Sequence, residues 1–369
     1  MIPVNEPKLP SSAKKLLAEC IDTGWISSEG PFVKQFEDMF AQYIGVKHGI
    51  ACCNGTVALE LAVAALRIGP GDEVIMPAHT IISCAQAAVR RGAIPVLVDS
   101  DPETWQMDVE QVEARITGRT RAIMPVHTFG HPVDMAPLLE LADRHGLYII
   151  EDAAEAHGAE YKGRRCGSMG TAAAFSFYAN KVVTTGEGGM VVTNDDALAE
   201  RLRFLRNLCF EPQQRFLHRE LGYNFRFTNL QAAMGVAQMT EIDALVARKV
   251  WIGQEYTKRL AGVRGIRIQA VREWAKHIYW VYGLLLDDDV PFDAVQWAKM
   301  LREKGVDTRP FFWPLHQQPA LLGMGLFQGE SYPVAEKLAR RGLYLPSGMA
   351  LTLDQINQVT EVVKETLRW

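Results

Sequence analysis

Residues 49–77, "GIACCNGTVALELAVAALRIGPGDEVIMP", decide the fold. A short apolar run (49–53) meets Asn54-Gly55-Thr56, then the longer alanine-rich segment "TVALELAVAALRIG", and then a second short apolar run, "EVIMP" (73–77). Short apolar runs bounded by turn residues suit strands covered on both faces, and the long segment suits the crossover helix between them. The unit is strand, helix, strand. It recurs as the chain is followed outward: "EVIMP" runs into "TIISCAQAAVRRG" (80–92), "IPVLVD" (94–99) into "DVEQVEARI" (108–116), and "RAIMPVH" (121–127) into "MAPLLELADRHG" (135–146). "LYIIED" (147–152) ends in a carboxylate, and "AAAFSFY" (172–178) and "GMVVTND" (189–195) add two more strands.

Seven such runs predict an α/β fold with a mostly parallel seven-stranded sheet and helices on both faces. The pattern changes after about residue 235, where "QMTEIDALVARKVWIGQEYTKRLAG" reads as one long helix followed by a strand, "IYWVYGLLL" (278–286), and further helices. The chain is therefore divided into a large domain over 1–240, with a helical segment at its start, and a smaller α+β domain over 241–369. A length of 369 residues accommodates both. In the early segment "PFVKQFEDMFAQYIG" (31–45), Phe32, Phe36, Met39, Phe40 and Tyr43 recur at helical spacing and read as core.

Composition narrows the function. Apolar residues make up 48% and charged residues 22%, and the net charge is -4, which gives no footprint for nucleic acid. Six cysteines without a Cys-x-x-Cys pair suggest reduced thiols, neither a disulfide framework nor a metal site. "MIPVNEPKLPSSAKK" has no apolar signal core and no run approaches the ~18 residues needed to cross a bilayer, so a cytoplasmic protein is expected, with no membrane partner. The dinucleotide, P-loop, nucleophile-elbow and His-Glu-x-x-His patterns are all missing. His127 and His131, in the turn-forming "VHTFGHPVD", are not read as metal ligands, and no metal is expected.

In open α/β sheets ligands bind beyond the carboxyl ends of the strands, which singles out a few residues. Asn54-Gly55-Thr56 opens a helix and is compatible with a plain N-cap or with a phosphate cup. Asp152 ends a strand, where it can cap a helix or pair with a protonated ring nitrogen, and Glu155 follows three residues later. Ser176 stands at the end of another strand. Lys181 lies in the loop before "TTGEGG" (184–189), where a solvated loop lysine is the alternative. A phosphate cup, a strand-end carboxylate, a serine and a loop lysine are together the parts that a pyridoxal phosphate enzyme needs.

At these residues the sequence resembles the DegT-type sugar-nucleotide aminotransferases, which have the aspartate-aminotransferase (fold type I) fold. The resemblance runs through "GTVALELAVAAL", "GDEVIMPAHT", "PVLVDSD", "HTFGHPVDM", "IIEDAAEAHG", "FSFYANKVVTTGEGGMVVTND", "GYNFRFTNLQAA" and "TRPFFWPLH". It implies that Lys181 bonds to the cofactor aldehyde and that Asp152 partners the pyridine nitrogen. Gly55, Thr56 and Ser176 would hold the phosphate, with Glu155 near the 3'-oxygen. It also implies a homodimer with shared active sites, in which Asn224 and Arg226 complete the partner's phosphate site. Trp25, Ser27 and His316 fall at substrate-contacting positions. One position departs from the family pattern: Ile81 stands where an aromatic ring usually covers the cofactor, with His79 as the alternative there.

The presence of Lys181 implies transamination, because related sugar dehydratases carry histidine there. Within the family, "WISSEGPFVKQFE", "DPETWQMD" and "TTGEGGMVVTND" are most similar to the GDP-perosamine synthases. The expected reaction moves an amino group from L-glutamate to C4 of a nucleotide-linked 4-keto-6-deoxy sugar, for surface polysaccharide biosynthesis. Amination at C3, a UDP- or dTDP-linked sugar, and a pyridoxal phosphate-binding regulator without turnover remain as alternatives.

Overall fold

The computed structural model describes residues 1–211 and 213–368; Pro212 and Trp369, the last residue of the expected 241–369 unit, lie outside them. After helices α1 (Ser12–Thr23) and α2 (Pro31–Ile44), the chain builds β1 (His48–Cys52), α3 (Gly55–Ala65), β2 (Glu73–Pro77), α4 (Ser83–Val89), β3 (Ile94–Val98) and β4 (Thr120–Ile123). Next come α5 (Met135–His145), β5 (Tyr148–Asp152), the short ribbon strands β6 (Glu160–Tyr161) and β7 (Arg164–Arg165), β8 (Ala172–Ser176), β9 (Gly189–Thr193) and α6 (Asp196–Arg206). The main sheet has seven strands in the order β1-β9-β8-β5-β4-β2-β3. Pairing is parallel from β8 to β3, and β9 runs antiparallel to both β1 and β8. This is the mostly parallel sheet that the apolar runs predict.

Alternate residues of the same strand feed cores on opposite faces, which is why the runs are continuously apolar. Ile149, Ala173 and Val192 enter one cluster, while their neighbours Ile150, Ala174 and Val191 enter the other. Helix α3 is buried almost all round, so its alanine and leucine content has no polar stripe. Phe32, Phe36 and Phe40 of α2 are in the core as expected, with Met39 and Tyr43 packed against it.

The rest of the chain forms α7 (Asn229–Met239), α8 (Ile242–Leu260), β10 (Ile266–Ile268), β11 (Ala275–Lys276), β12 (Tyr282–Leu286), α9 (Ala294–Glu303), β13 (Arg309–Pro310), α10 (Pro319–Leu322), α11 (Pro333–Arg341), β14 (Gly342–Leu345) and α12 (Leu353–Thr366). A second, antiparallel sheet orders β10-β12-β14-β13, and β11 pairs with β6. The chain start joins this half: Ile2 bridges Val306.

Three local expectations are corrected. "DVEQVEARI" makes two 3-10 turns (Val109–Gln111 and Glu113–Arg115) instead of a helix. Asp108 accepts from Gln111 Nε2 at 2.7 Å while Gln111 Oε1 takes the Asp99 N–H at 3.1 Å, so the segment is tied to the end of β3. The long helix is broken at Thr240 and Glu241 into α7 and α8, where the Thr240 hydroxyl donates to the Ala237 carbonyl at 2.7 Å. "IYWVYGLLL" becomes strand only from Tyr282, because Tyr279 takes a left-handed backbone with φ 53°.

Candidate active site

Strands β1, β2, β4, β5 and β8 end on one edge, and the loops there enclose a cavity of about 630 Å³. Gly55, Thr56, Ile81, Asp152, Glu155, Ser176 and Lys181 all border it. The strand-end rule thus brings seven residues from four loops to one place.

Helix α3 opens at Asn54, whose side chain accepts the Val57 N–H at 3.0 Å, so the first turn points its unpaired donors out of the helix end. Asn54 is an N-cap, and Asn54, Gly55 and Thr56 also border the cavity. A Cβ at Gly55 would come within 2.7 Å of Ser176 Cβ, so only glycine lets the helix end approach the end of β8. Thr56 and Ser83 hydroxyls meet at 2.8 Å, linking the starts of α3 and α4.

Asp152 is buried at the end of β5. Its Oδ2 accepts from the Cys84 thiol at 3.1 Å and its Oδ1 from the Ala154 N–H at 3.1 Å. Burial raises its pKa, while the thiol and amide donors and the Lys181 charge pull it down. Glu155 accepts the Phe129 N–H at 2.8 Å and lies 3.5 Å from the Lys181 Nζ. Burial pushes its carboxyl up to about 7, against the opposing pull of Lys181.

Lys181 is no solvated loop lysine: its side chain is 10% exposed, and burial lowers its pKa while Glu155 and Asp152 hold it up. The loop that carries it begins with the Lys181 N–H on the Tyr178 carbonyl at 2.9 Å and turns back at Gly186, with φ 82°.

Other expected residues sit elsewhere. Arg226 donates to Asn207 Oδ1 at 2.8 Å and borders a separate, smaller pocket, and Asn224 is exposed on the same loop. Trp25 and Ser27 lie on the exposed segment after α1. His316 is buried with Nε2 3.0 Å from Glu336 and borders none of this cavity. His79 also lies behind the wall, edge-on to Phe129 with centroids 6.0 Å apart, and burial lowers its pKa to about 3. Ile81 borders the cavity and is 41% exposed. His127 and His131 are buried, His127 Nε2 lying 3.0 Å from Glu151 and His131 Nδ1 accepted by the Pro132 carbonyl at 2.7 Å.

The structure adds residues that the sequence reading passed over. Cys84 reaches Asp152 from α4, and Trp280, Phe312 and Tyr344 supply aromatic walls. Their signal in the sequence is weak, because each comes from a segment far along the chain from the residue it touches. Among the described residues, no helix is long and apolar enough to cross a membrane.

A buried carboxylate and a buried lysine sharing a cavity with the N-terminus of α3, on this strand order, belong to the fold of the pyridoxal phosphate-dependent aminotransferases. The donor set fits that cofactor: the cup is too close for any Cβ at Gly55, and a carboxylate and an amine stand within the same cavity. The chain belongs to the DegT/DnrJ/EryC1/StrS aminotransferase family, whose model matches residues 7–364, and is a pyridoxal phosphate-dependent enzyme of that kind. Over 368 residues it is 44% identical to the GDP-perosamine synthase of Caulobacter vibrioides, covering 99% of this chain and 98% of that protein. Over 362 residues it is 39% identical to the dTDP-3-amino-3,4,6-trideoxy-alpha-D-glucose transaminase of Streptomyces venezuelae, covering 97% of this chain and 93% of that protein. The solved structure of DesV from S. venezuelae superposes with a TM-score of 0.91 at 37% identity, over 99% of this chain and 100% of that one.

Proposed function

We propose that the protein transfers the amino group of L-glutamate to C4 of GDP-4-keto-6-deoxymannose, giving GDP-perosamine and 2-oxoglutarate. The observation that carries the chemistry is the Lys181 Nζ, buried 3.5 Å from Glu155 at the mouth of the strand edge that also holds Asp152. The similarity to the C. vibrioides enzyme over nearly both whole chains supports the choice of sugar.

Pyridoxal phosphate, when bound, supplies an aldehyde that bonds to amines and a ring that withdraws electrons from the adjacent C–H bond. The α3 N-terminus at Gly55 and Thr56, with Ser176, would hold its phosphate. Asp152 would supply the negative charge for the ring nitrogen, and Glu155 would partner the 3'-oxygen. Lys181 would be the amine that holds the cofactor through its aldehyde. Its Nζ then takes the proton from Cα of glutamate, and in the second half-reaction delivers a proton to C4 of the sugar. Trp25 and Ser27 offer substrate contacts from their exposed segment. His316, tied to Glu336, steadies the segment that brings Phe312 to the cavity. A second copy of the chain completes each phosphate site through Asn224 and Arg226, which border no part of their own chain's cavity. The six cysteines are free, which suits a cytoplasmic reaction.

The similarity to the S. venezuelae transaminase favours a second reading, amination of a dTDP-linked sugar at C3. Incubating the protein with glutamate and a panel of GDP-, UDP- and dTDP-linked keto sugars separates the two. A 4-amino product from the GDP sugar alone supports the proposal; a product only from a dTDP sugar selects the second reading; no 2-oxoglutarate with any sugar overturns both.

A further inference from the structure

The Nζ of Lys181 stands 3.7 Å from the centroid of the Trp280 indole ring. The left-handed Tyr279 turns the chain just before Trp280, so this residue leaves the line of β12 and faces the cavity. Two bonds hold it there: its Nε1 donates to the Asn180 carbonyl at 2.9 Å, in the same loop as Lys181, and its own carbonyl accepts from the Lys249 Nζ at 2.7 Å. Lys249 is fully buried in α8, where burial pushes its pKa down to about 7, and it also donates to the Ser347 carbonyl, so an amine with no part in the chemistry above is spent on fixing this backbone. Trp280 is thus fastened through its ring to the lysine loop and through its backbone to α8.

We propose that Trp280 is a further residue of the reaction centre: its ring face stabilises the Lys181 Nζ as an ammonium and keeps it aimed across the cavity. The inference rests on the reading of Lys181 as the amine that bonds to the cofactor. A ring face attracts a cation through its quadrupole, and more strongly when water is excluded. The charged groups facing Lys181 act in both directions. Glu155 and Asp152 favour the ammonium, while burial and the neighbouring Lys249 oppose it. The indole adds to the first side without adding a second negative charge. After Nζ has taken a proton from the donor, the ring face holds the resulting ammonium beside the reacting carbon.

The test uses the full-length chain freed of cofactor, as native protein, Trp280→Leu and Trp280→Phe, each first checked for native circular dichroism. Pyridoxal phosphate is added across a pH series, and the adduct is trapped with borohydride and located by peptide mass. Attachment needs the free amine, so the midpoint of rate against pH reports the pKa of the labelled lysine. Without the ring face the ammonium is less stable, and the midpoint for Trp280→Leu falls by about one pH unit. Trp280→Phe keeps a ring face and stays closer to native. An unchanged midpoint in Trp280→Leu, or an equal fall in both variants, overturns the role of the ring. Label on a lysine other than Lys181 instead overturns the reading on which the role rests.

Discussion

The Cys84 thiol donates to Oδ2 of Asp152 at 3.1 Å, with both side chains buried at the end of β5. Burial and the adjacent carboxylate raise the thiol pKa well above its ordinary value, so it stays protonated and acts only as a donor. Cys84→Ser preserves a donor and should be close to native. Cys84→Ala leaves Oδ2 one donor short and should cost about 1 kcal/mol in thermal unfolding of the cofactor-free protein. Equal stability of the two variants would show that the contact contributes nothing.

Asp152→Asn replaces a negative charge with a neutral amide at the position assigned to the ring nitrogen. Turnover should drop by about 10² or more, because a fixed charge inside a dry site contributes more than one in water. Steady-state kinetics with glutamate checks it, and a near-native rate would return Asp152 to a purely structural place beside the Ala154 amide.

Lys181→Ala should abolish turnover without unfolding the protein. The lysine is buried where burial disfavours its charge, so its removal should leave the stability of the cofactor-free protein unchanged within about 1 kcal/mol. Measurable transamination by this variant contradicts the assignment of the amine.

Glu155 gives a pH signature. Its folded pKa, about 7, lies above the ordinary carboxyl value of 4.5, so the unfolded chain releases this proton first as pH rises. The stability linked to this group is therefore complete below the ordinary value and is lost as pH climbs through 7. In Glu155→Gln the loss is absent. Relative to native, the cofactor-free variant should gain roughly 2–3 kcal/mol between the two ends of that window. Denaturant unfolding at several pH values reads the difference, and parallel curves would contradict the shift.

The proposed shared site predicts complementation. Lys181→Ala and Arg226→Ala, each inactive alone, should recover part of the native rate after subunit exchange, since one site of the mixed dimer has both intact residues. Absence of rescue would place Arg226 in the service of its own chain, and sedimentation showing an active monomer would remove the dimer requirement.

The sequence by itself determined the sheet and the principal chemistry. Continuous apolar runs such as "EVIMP" can only be satisfied by burial on both faces, and residues at the ends of such runs must come out on one edge, so Asp152, Ser176 and Lys181 were legible as a group. The family resemblance assigned the parts within it. Tertiary structure alone decided what these residues touch. "DVEQVEARI" has helical spacing, yet the bond between Gln111 and the end of β3 draws it into tight turns. His79 reads as a candidate beside the cofactor, yet it is packed behind the cavity against Phe129. Cys84 meets Asp152 across 68 positions, and Trp280 meets Lys181 across nearly a hundred. Periodicity reports which side of an element faces the core, but not which distant side chain waits there. That is set when the sheet closes and loops from separate segments come to share one edge.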